Sequence, residues 1–195
     1  MAMDTAPSRT AGWFALLVAF VVILGVTFLI LKMAVDLSFG RLVDICHAVA
    51  AAVSAGLASA LYGQHEKRHP QVALPALYAV IAGTLFAVVG SVLIIHEGMG
   101  FFLAGTYTMT GYALIGLWLI GLNRAAPWPR GLGTLGRIAG IIMALGLASV
   151  PSIILGIDSV EEATWHTWIG QAGFVGWAFL YPAWCVWFWR IRSEA

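Results

Sequence analysis

Residues 10–31 carry no charged side chain, and uncharged apolar stretches of twenty or more residues recur along the chain. A helix of that length crosses the ~30 Å hydrocarbon core of a bilayer. Inside hydrocarbon every backbone N–H and C=O must find its partner within the protein, and a helix satisfies that demand segment by segment. The feature therefore predicts an all-α polytopic membrane protein. Composition agrees: 61% of the 195 residues are hydrophobic and 10% are charged, far from the balance of a soluble domain. The net charge of +1 supplies no basic excess for nucleic-acid binding, so the expected surroundings are the lipid bilayer.

Read in order, the chain predicts one transmembrane domain over residues 1–195, with six spans at about 12–31, 41–63, 72–95, 101–122, 135–157 and 164–189. The first has too long an apolar stretch for a signal peptide and no small-x-small cleavage pattern, so it is expected to be retained. The polar run from Gln64 to His69, closed by Pro70, predicts a helix stop. Pro151 should kink the outer half of the fifth span.

Lysines and arginines set the orientation. With the N-terminus inside, Arg9, Lys67, Arg68, Arg124, Arg130, Arg137, Arg190 and Arg192 fall on inner segments, and only Lys32 and Arg41 on outer ones. Both termini are thus expected to be cytoplasmic in a cell membrane, of the bacterial inner-membrane kind. Trp165 and Trp168 at one end of the last span, and Trp184, Trp187 and Trp189 at the other, read as interfacial belts. Trp13 and Trp128 fit the same reading. Cys46 and Cys185 fall near opposite ends of their spans, in different leaflets, so two free thiols are expected rather than a disulfide.

The second span has the densest pattern. Ala48, Ala52, Gly56 and Ala60 recur every four residues, as do Ala51, Ala55, Ser59 and Gly63. Such rows let membrane helices approach closely, which predicts that this helix is the one the others pack against. At its outer end Asp44 and His47 stand three residues apart, on one helix face. A carboxylate there can orient a metal- or haem-ligating imidazole, or set up a titrating one. The plain alternative is a helix start meeting headgroups and water, where an aspartate is favoured anyway.

On the assigned topology three of the five histidines and six of the nine carboxylates are outer. Ionisable residues in or beside a span mark candidate sites. The candidate ligands are therefore Asp44, His47, His96, Glu97 and His166, with Thr106, Tyr107 and Thr110 of the fourth span as candidate pocket-lining residues. The inner halves lack acids, which disfavours a coupled transporter. Histidines in both leaflets, as stacked haems would need, are also lacking: the inner pair, His65 and His69, sits in a charged loop. What survives is an outer-leaflet site for a metal, haem, quinone or lipid, with catalysis left open. The alternative is a non-catalytic scaffold subunit of a larger membrane complex, or a homo-oligomer, whose outer polar groups meet a partner.

Other motifs lack their context. Gly131-Leu132-Gly133-Thr134-Leu135-Gly136 matches the dinucleotide pattern without a preceding strand. His96-Glu97 begins a zincin motif, but Gly100 stands where the second histidine belongs. The repeat of Gly56-Leu57-Ala58-Ser59 at Gly146-Leu147-Ala148-Ser149 is ordinary in so Ala/Gly/Leu-rich a chain.

The short turn after the third span, the arginine-bearing loop before the fifth and the ending Tyr181-Pro182-Ala183-Trp184 through Trp189-Arg190 give the chain a layout. That layout resembles small uncharacterised bacterial six-helix integral membrane proteins. The resemblance implies a fold and a cell-membrane location, and carries no active residues across.

Overall fold

A computed structural model describes residues 9–96, 98, 100–125 and 128–193. The described residues are helical throughout, apart from short connections. The α-helices are α1 (Arg9–Ala34), α2 (Gly40–Arg68), α3 (Pro70–Ile95), α4 (Phe101–Ala125), α5 (Arg130–Ala144), α6 (Val150–Leu155), α7 (Trp165–Val175) and α8 (Tyr181–Ser193). Five stretches are long and apolar enough to cross a membrane: Arg9–Ala34, Leu37–Gly63, Pro70–Ile95, Phe101–Arg124 and Gly131–Leu155.

Two of the long helical runs are broken, and proline explains both breaks. The run begun by α5 tightens into a 3-10 segment at Leu145–Ser149 and restarts as α6 with Pro151 in its first turn. The last run widens into a π segment at Gly176–Leu180, where the Tyr181 N–H reaches back to the Gly176 carbonyl. Pro182 follows at once. Its ring has no N–H to donate and crowds the carbonyl four residues back, so the backbone opens before it. The expected span at 164–189 is therefore helical but divided into α7, the π segment and α8.

The central helix is α4, not α2. In the apolar window of α4 72% of residues are buried, against 44% in that of α2. Glycines explain why. A Cβ on Gly83 of α3 would lie 2.5 Å from the Gly111 carbonyl of α4, and one on Gly111 would lie 2.5 Å from the Gly83 carbonyl. On the other side of α4, Gly116 and Gly140 of α5 stand in the same reciprocal relation, at 2.8 and 2.6 Å. Backbones can meet like this only where no side chain intervenes. The small rows of α2 are used only in part: Ala51 is buried and a Cβ on Gly56 would lie 2.8 Å from the Phe14 ring of α1, whereas Ala52, Ser59 and Gly63 are exposed and nothing stands near Gly63. The buried face of α2 is instead Val43, Asp44, Cys46, Ala50, Ala51, Ser54, Leu57, Ala58, Leu61 and His65, a stripe at helical period. α1 packs against both α2 and α8 and so closes the bundle.

Helix α2 runs to Arg68, five residues past its expected end, because Gln64–Arg68 are polar but contain no helix breaker. His69 and Pro70 end it. Trp184 is fully buried rather than interfacial. It lies on the inward face of the last run with Trp177, Tyr181 and Phe188, and its indole N–H donates to Asn123 Oδ1 at 3.1 Å. Trp128 is half-buried on Phe188, whereas Trp13, Trp165 and Trp168 are exposed as a belt requires. The glycines of the dinucleotide-like pattern lie within α5 and serve packing: Gly131 meets the Trp187 indole and Gly136 the Asn123 side chain.

The glycine contacts yield a sharp contrast. Gly111→Leu is expected to lower the melting temperature in detergent by about 2–12 °C, since overpacking against backbone costs about 1–3 kcal/mol and each kcal/mol is worth about 2–4 °C in a chain of this size. Gly63→Leu should leave melting almost unchanged. Thermal unfolding of the two variants by circular dichroism makes the comparison, and equal effects would contradict the assignment of α4 as the centre.

Candidate functional site

The start of α2 is built by its neighbours. Asp36 Oδ1 accepts from the Ser38 N–H at 2.6 Å and starts the 3-10 turn Leu37–Phe39, which leads into α2. Lys32, in the last turn of α1, folds its stem over Gly40. A Cβ on Gly40 would lie 3.4–3.6 Å from the end of that stem. The Lys32 ammonium sits 3.9 Å from the centroid of the Phe101 ring of α4, a cation–π contact. It is also close enough to act electrostatically on both Asp44 and His47.

One turn deeper Asp44 is 4% exposed. His47 presents its ring to the interior. Its centroid lies 4.6 Å from that of Trp177, edge to face, and 6.1 Å from that of Tyr112. Tyr112 of α4 donates its hydroxyl to the His47 carbonyl at 2.6 Å, and its ring lies 5.0 Å from Trp177. Cys46 packs on Gly25 of α1, so that a Cβ on Gly25 would stand 3.0 Å from the cysteine Cβ. His47 Nε2 and Trp177 Nε1 are both buried without a hydrogen-bond partner. Two orphaned donors or acceptors in one aromatic cluster are unusual, since buried polar atoms in folded proteins are nearly all paired.

Two interior polar pairs lie below this cluster. Tyr181 donates to Ser54 Oγ at 2.9 Å, and Ser54 donates to the Ala50 carbonyl at 2.7 Å. Asn123 donates to the Leu119 carbonyl at 2.8 Å while accepting from Trp184. Both cysteines are buried free thiols.

The other sequence candidates lie apart from His47. His96 is exposed at the end of α3, and Glu97 is outside the described residues, as is Pro127 of the arginine-bearing loop. His166 is half-buried in the first turn of α7, where its ring nitrogens contact Thr164 Oγ1. Thr164 and Thr167 form the capping box of that helix, and Thr167 Oγ1 lies 2.7 Å from Ser152 Oγ. Thr106 donates to the Phe102 carbonyl of its own helix at 3.0 Å, and Tyr107 stacks on Phe86 of α3. Thr110 is buried and its hydroxyl lacks a partner. Among the described residues no three His, Cys, Asp or Glu side chains come together as a metal-ligand set. Lys32, Tyr112 and Trp177 complete the cluster, and sequence reasoning did not single them out. A tyrosine and a tryptophan at mid-span, far from any interface, are the signal that marks the last two.

Asp158 has a different task. Gly156, at φ +66°, ends α6 in the left-handed conformation that suits glycine, and the Ile157 N–H returns to the Ser152 carbonyl at 3.0 Å. This turn delivers the Asp158 carboxylate to the N-terminus of α4. Oδ1 accepts from the Leu103 N–H at 3.0 Å, the bond that a capping side chain at position 100 would ordinarily make. Position 100 is glycine, and a Cβ there would run into the carboxylate.

Comparison of the chain with family profiles, with curated proteins and with solved structures gave no match.

Two outcomes follow from these placements. Asp158→Ala is expected to destabilise the fold by about 1 kcal/mol, the worth of a helix N-cap, with Asp158→Asn close to wild type. Chemical denaturation in detergent measures the difference, and an Asp158→Ala variant as stable as wild type would rule out the cap. His65, near the C-terminal end of α2, is held below its ordinary value of 6.5 by burial and by the neighbouring His69. The unfolded chain thus takes up the proton first as pH falls. His65 stabilises fully above pH 6.5 and loses its contribution as pH drops through 6.5 towards the folded value. Melting temperature should decline over that interval, less steeply in His65→Gln, and parallel slopes would refute the assignment.

Proposed function

We propose that the chain is a six-span integral protein of the cell membrane, both termini cytoplasmic, with one hydrogen-bonding ligand site centred on His47 that reaches from the outer leaflet to the midplane. The interrupted run from Trp165 to Ser193 supplies the sixth span in this reading, and eight inner against two outer lysines and arginines support the orientation. The layout resemblance to bacterial six-helix membrane proteins points to a bacterial inner membrane.

The observation that carries the site is the unpartnered Nε2 of His47, enclosed by Trp177 and Tyr112. A planar membrane-soluble ligand with carbonyl oxygens, a quinone, suits it best. The imidazole N–H donates to a carbonyl oxygen, the indole N–H of Trp177 is a second donor, and the aromatic side chains offer a flat apolar wall. Asp44 and Lys32, one turn further out, supply groups that can exchange protons with water. Two potential ligating side chains on one face of α2 make a poorer set for a metal.

A second reading rests on the outer polar residues that already satisfy one another. Ser152, Thr164, Thr167 and Asp158 are engaged in helix capping and interhelical bonds, and His96 is exposed. These residues suit a scaffold subunit whose outer surface meets another membrane protein.

Solvent extraction of the purified protein, with chromatography of the extract, decides between the readings. The quinone reading expects near-stoichiometric quinone that falls at least tenfold in His47→Leu, while Asp158→Asn retains it. Wild-type protein that carries no quinone, and takes none up from quinone-loaded vesicles, would eliminate this reading. Co-purification of a stoichiometric partner protein would then favour the scaffold.

A further inference from the structure

A groove of about 820 Å³ opens between α1 and the last helical run, on the opposite side of the π segment from Trp177's interior contacts. Its construction follows from the sequence. Phe179, Ala183 and Trp187 are spaced four residues apart and share one face. Phe179 and Trp187 are 60% and 41% exposed, and the alanine between them leaves the space that two larger side chains enclose. Pro182 lines the groove beside Ala183, and Ile23 of α1 forms the facing wall. Arg190, exposed, closes one end. The lining is otherwise apolar.

Length and charge identify the occupant. From Phe179 to Arg190 the helix rises about 16 Å at ~1.5 Å per residue, close to the ~15 Å depth of one leaflet, half the ~30 Å core. On the six-span reading, on which this inference rests, Arg190 stands at the cytoplasmic headgroup level and Phe179 near the midplane. An acyl chain lying along Ala183 would fill the groove over its length while its phosphate met the guanidinium, a geometry arginine favours.

We propose that the α1–α8 groove is a binding site for an anionic phospholipid of the inner leaflet, its acyl chain along Ala183 between Phe179 and Trp187 and its phosphate on Arg190. The site differs from that at His47 in leaflet, in ligand charge and in the side chains that form it. The two sites share only the π segment, whose Trp177 faces the bundle while Phe179 faces lipid.

The test uses the full chain purified in detergent and exposed to mixed vesicles of palmitoyl-oleoyl phosphatidylglycerol and phosphatidylcholine, with retained lipid read by native mass spectrometry. Wild type is expected to prefer phosphatidylglycerol by about fivefold, the effect of one arginine at a membrane surface. Arg190→Gln should erase that preference and Arg190→Lys should keep most of it. Ala183→Phe, at an exposed position that leaves the core untouched, should lower retention of both lipids. Equal retention of the two lipids by wild type, or retention unchanged by Arg190→Gln and Ala183→Phe, would overturn the proposal. So would efficient disulfide cross-linking of Ala183→Cys between copies, which would place a second chain in the groove. Release of the protein from membranes by alkaline carbonate would instead defeat the membrane reading itself, and external exposure of a C-terminal tag would defeat its orientation.

Discussion

The fold depends on how closely the backbone of α4 can be approached from both sides. Within hydrocarbon, burying a leucine against another helix gains little over leaving it in lipid, so association rests on dispersion and close packing. Gly83 with Gly111 and Gly116 with Gly140 give α4 two backbone contacts, one on α3 and one on α5. With both sides of α4 so closely held, the larger side chains fill the remaining directions. Tyr112, Trp118 and Leu119 of α4 meet Trp177, Tyr181 and Trp184 of the last run in the core. The position of Tyr112 over His47 therefore follows from Gly111 beside it and Gly116 one turn on.

Helical class and apolar length were legible because they follow from the solvent alone: a segment in hydrocarbon must satisfy its own backbone. The identity of the central helix was not. Small residues recur at spacings of four in α2 more regularly than in α4, yet Ala52, Ser59 and Gly63 look outward. Spacing shows that a face is smooth without showing what lies against it. The same ambiguity hid Trp184, since a tryptophan near the end of a span suits a belt or a core equally until Asn123 is seen beside it. The cap on α4 was beyond local pattern altogether, because Asp158 and Leu103 lie 55 residues apart. The His47 cluster was half legible. Asp44 and His47 share a helix face by spacing, whereas Lys32, Tyr112 and Trp177 arrive from three other segments.

The two irregular segments are placed where a membrane protein can tolerate them. Non-helical backbone at membrane depth must be covered by protein. The 3-10 segment at Leu145–Ser149 and the π segment at Gly176–Leu180 come from consecutive helical runs, and each meets the regular helix of the other run through glycine. A Cβ on Gly173 would lie 3.0 Å from the Met143 carbonyl and 3.1 Å from the Gly146 nitrogen, and one on Gly176 would lie 2.8 Å from the Met143 nitrogen. Helix α7 thus covers the 3-10 segment and α5 covers the π segment. Nearer the turn that joins them, the Ser149, Ser152 and Thr167 hydroxyl contacts link the same pair of runs.

The π segment also bears on why His47 stands out. An extra residue in a helical turn rotates everything beyond it by about 100° relative to an uninterrupted α-helix. Across it Trp177 faces inward against His47, and Tyr181, Trp184 and Phe188 continue the inward stripe below. In that lower stripe Tyr181 has Ser54 and Trp184 has Asn123. The bundle therefore has suitable polar partners for buried aromatic side chains and uses them. Leaving His47 Nε2 and Trp177 Nε1 unpaired costs about 1–3 kcal/mol for each group, and a serine or asparagine of the kind used a few turns deeper would remove that cost. His65, Ser91 and Thr110 also hold buried polar atoms without a hydrogen-bond partner, so what sets the His47 cluster apart is its place beside a carboxylate and an ammonium, where the proposed ligand would complete it.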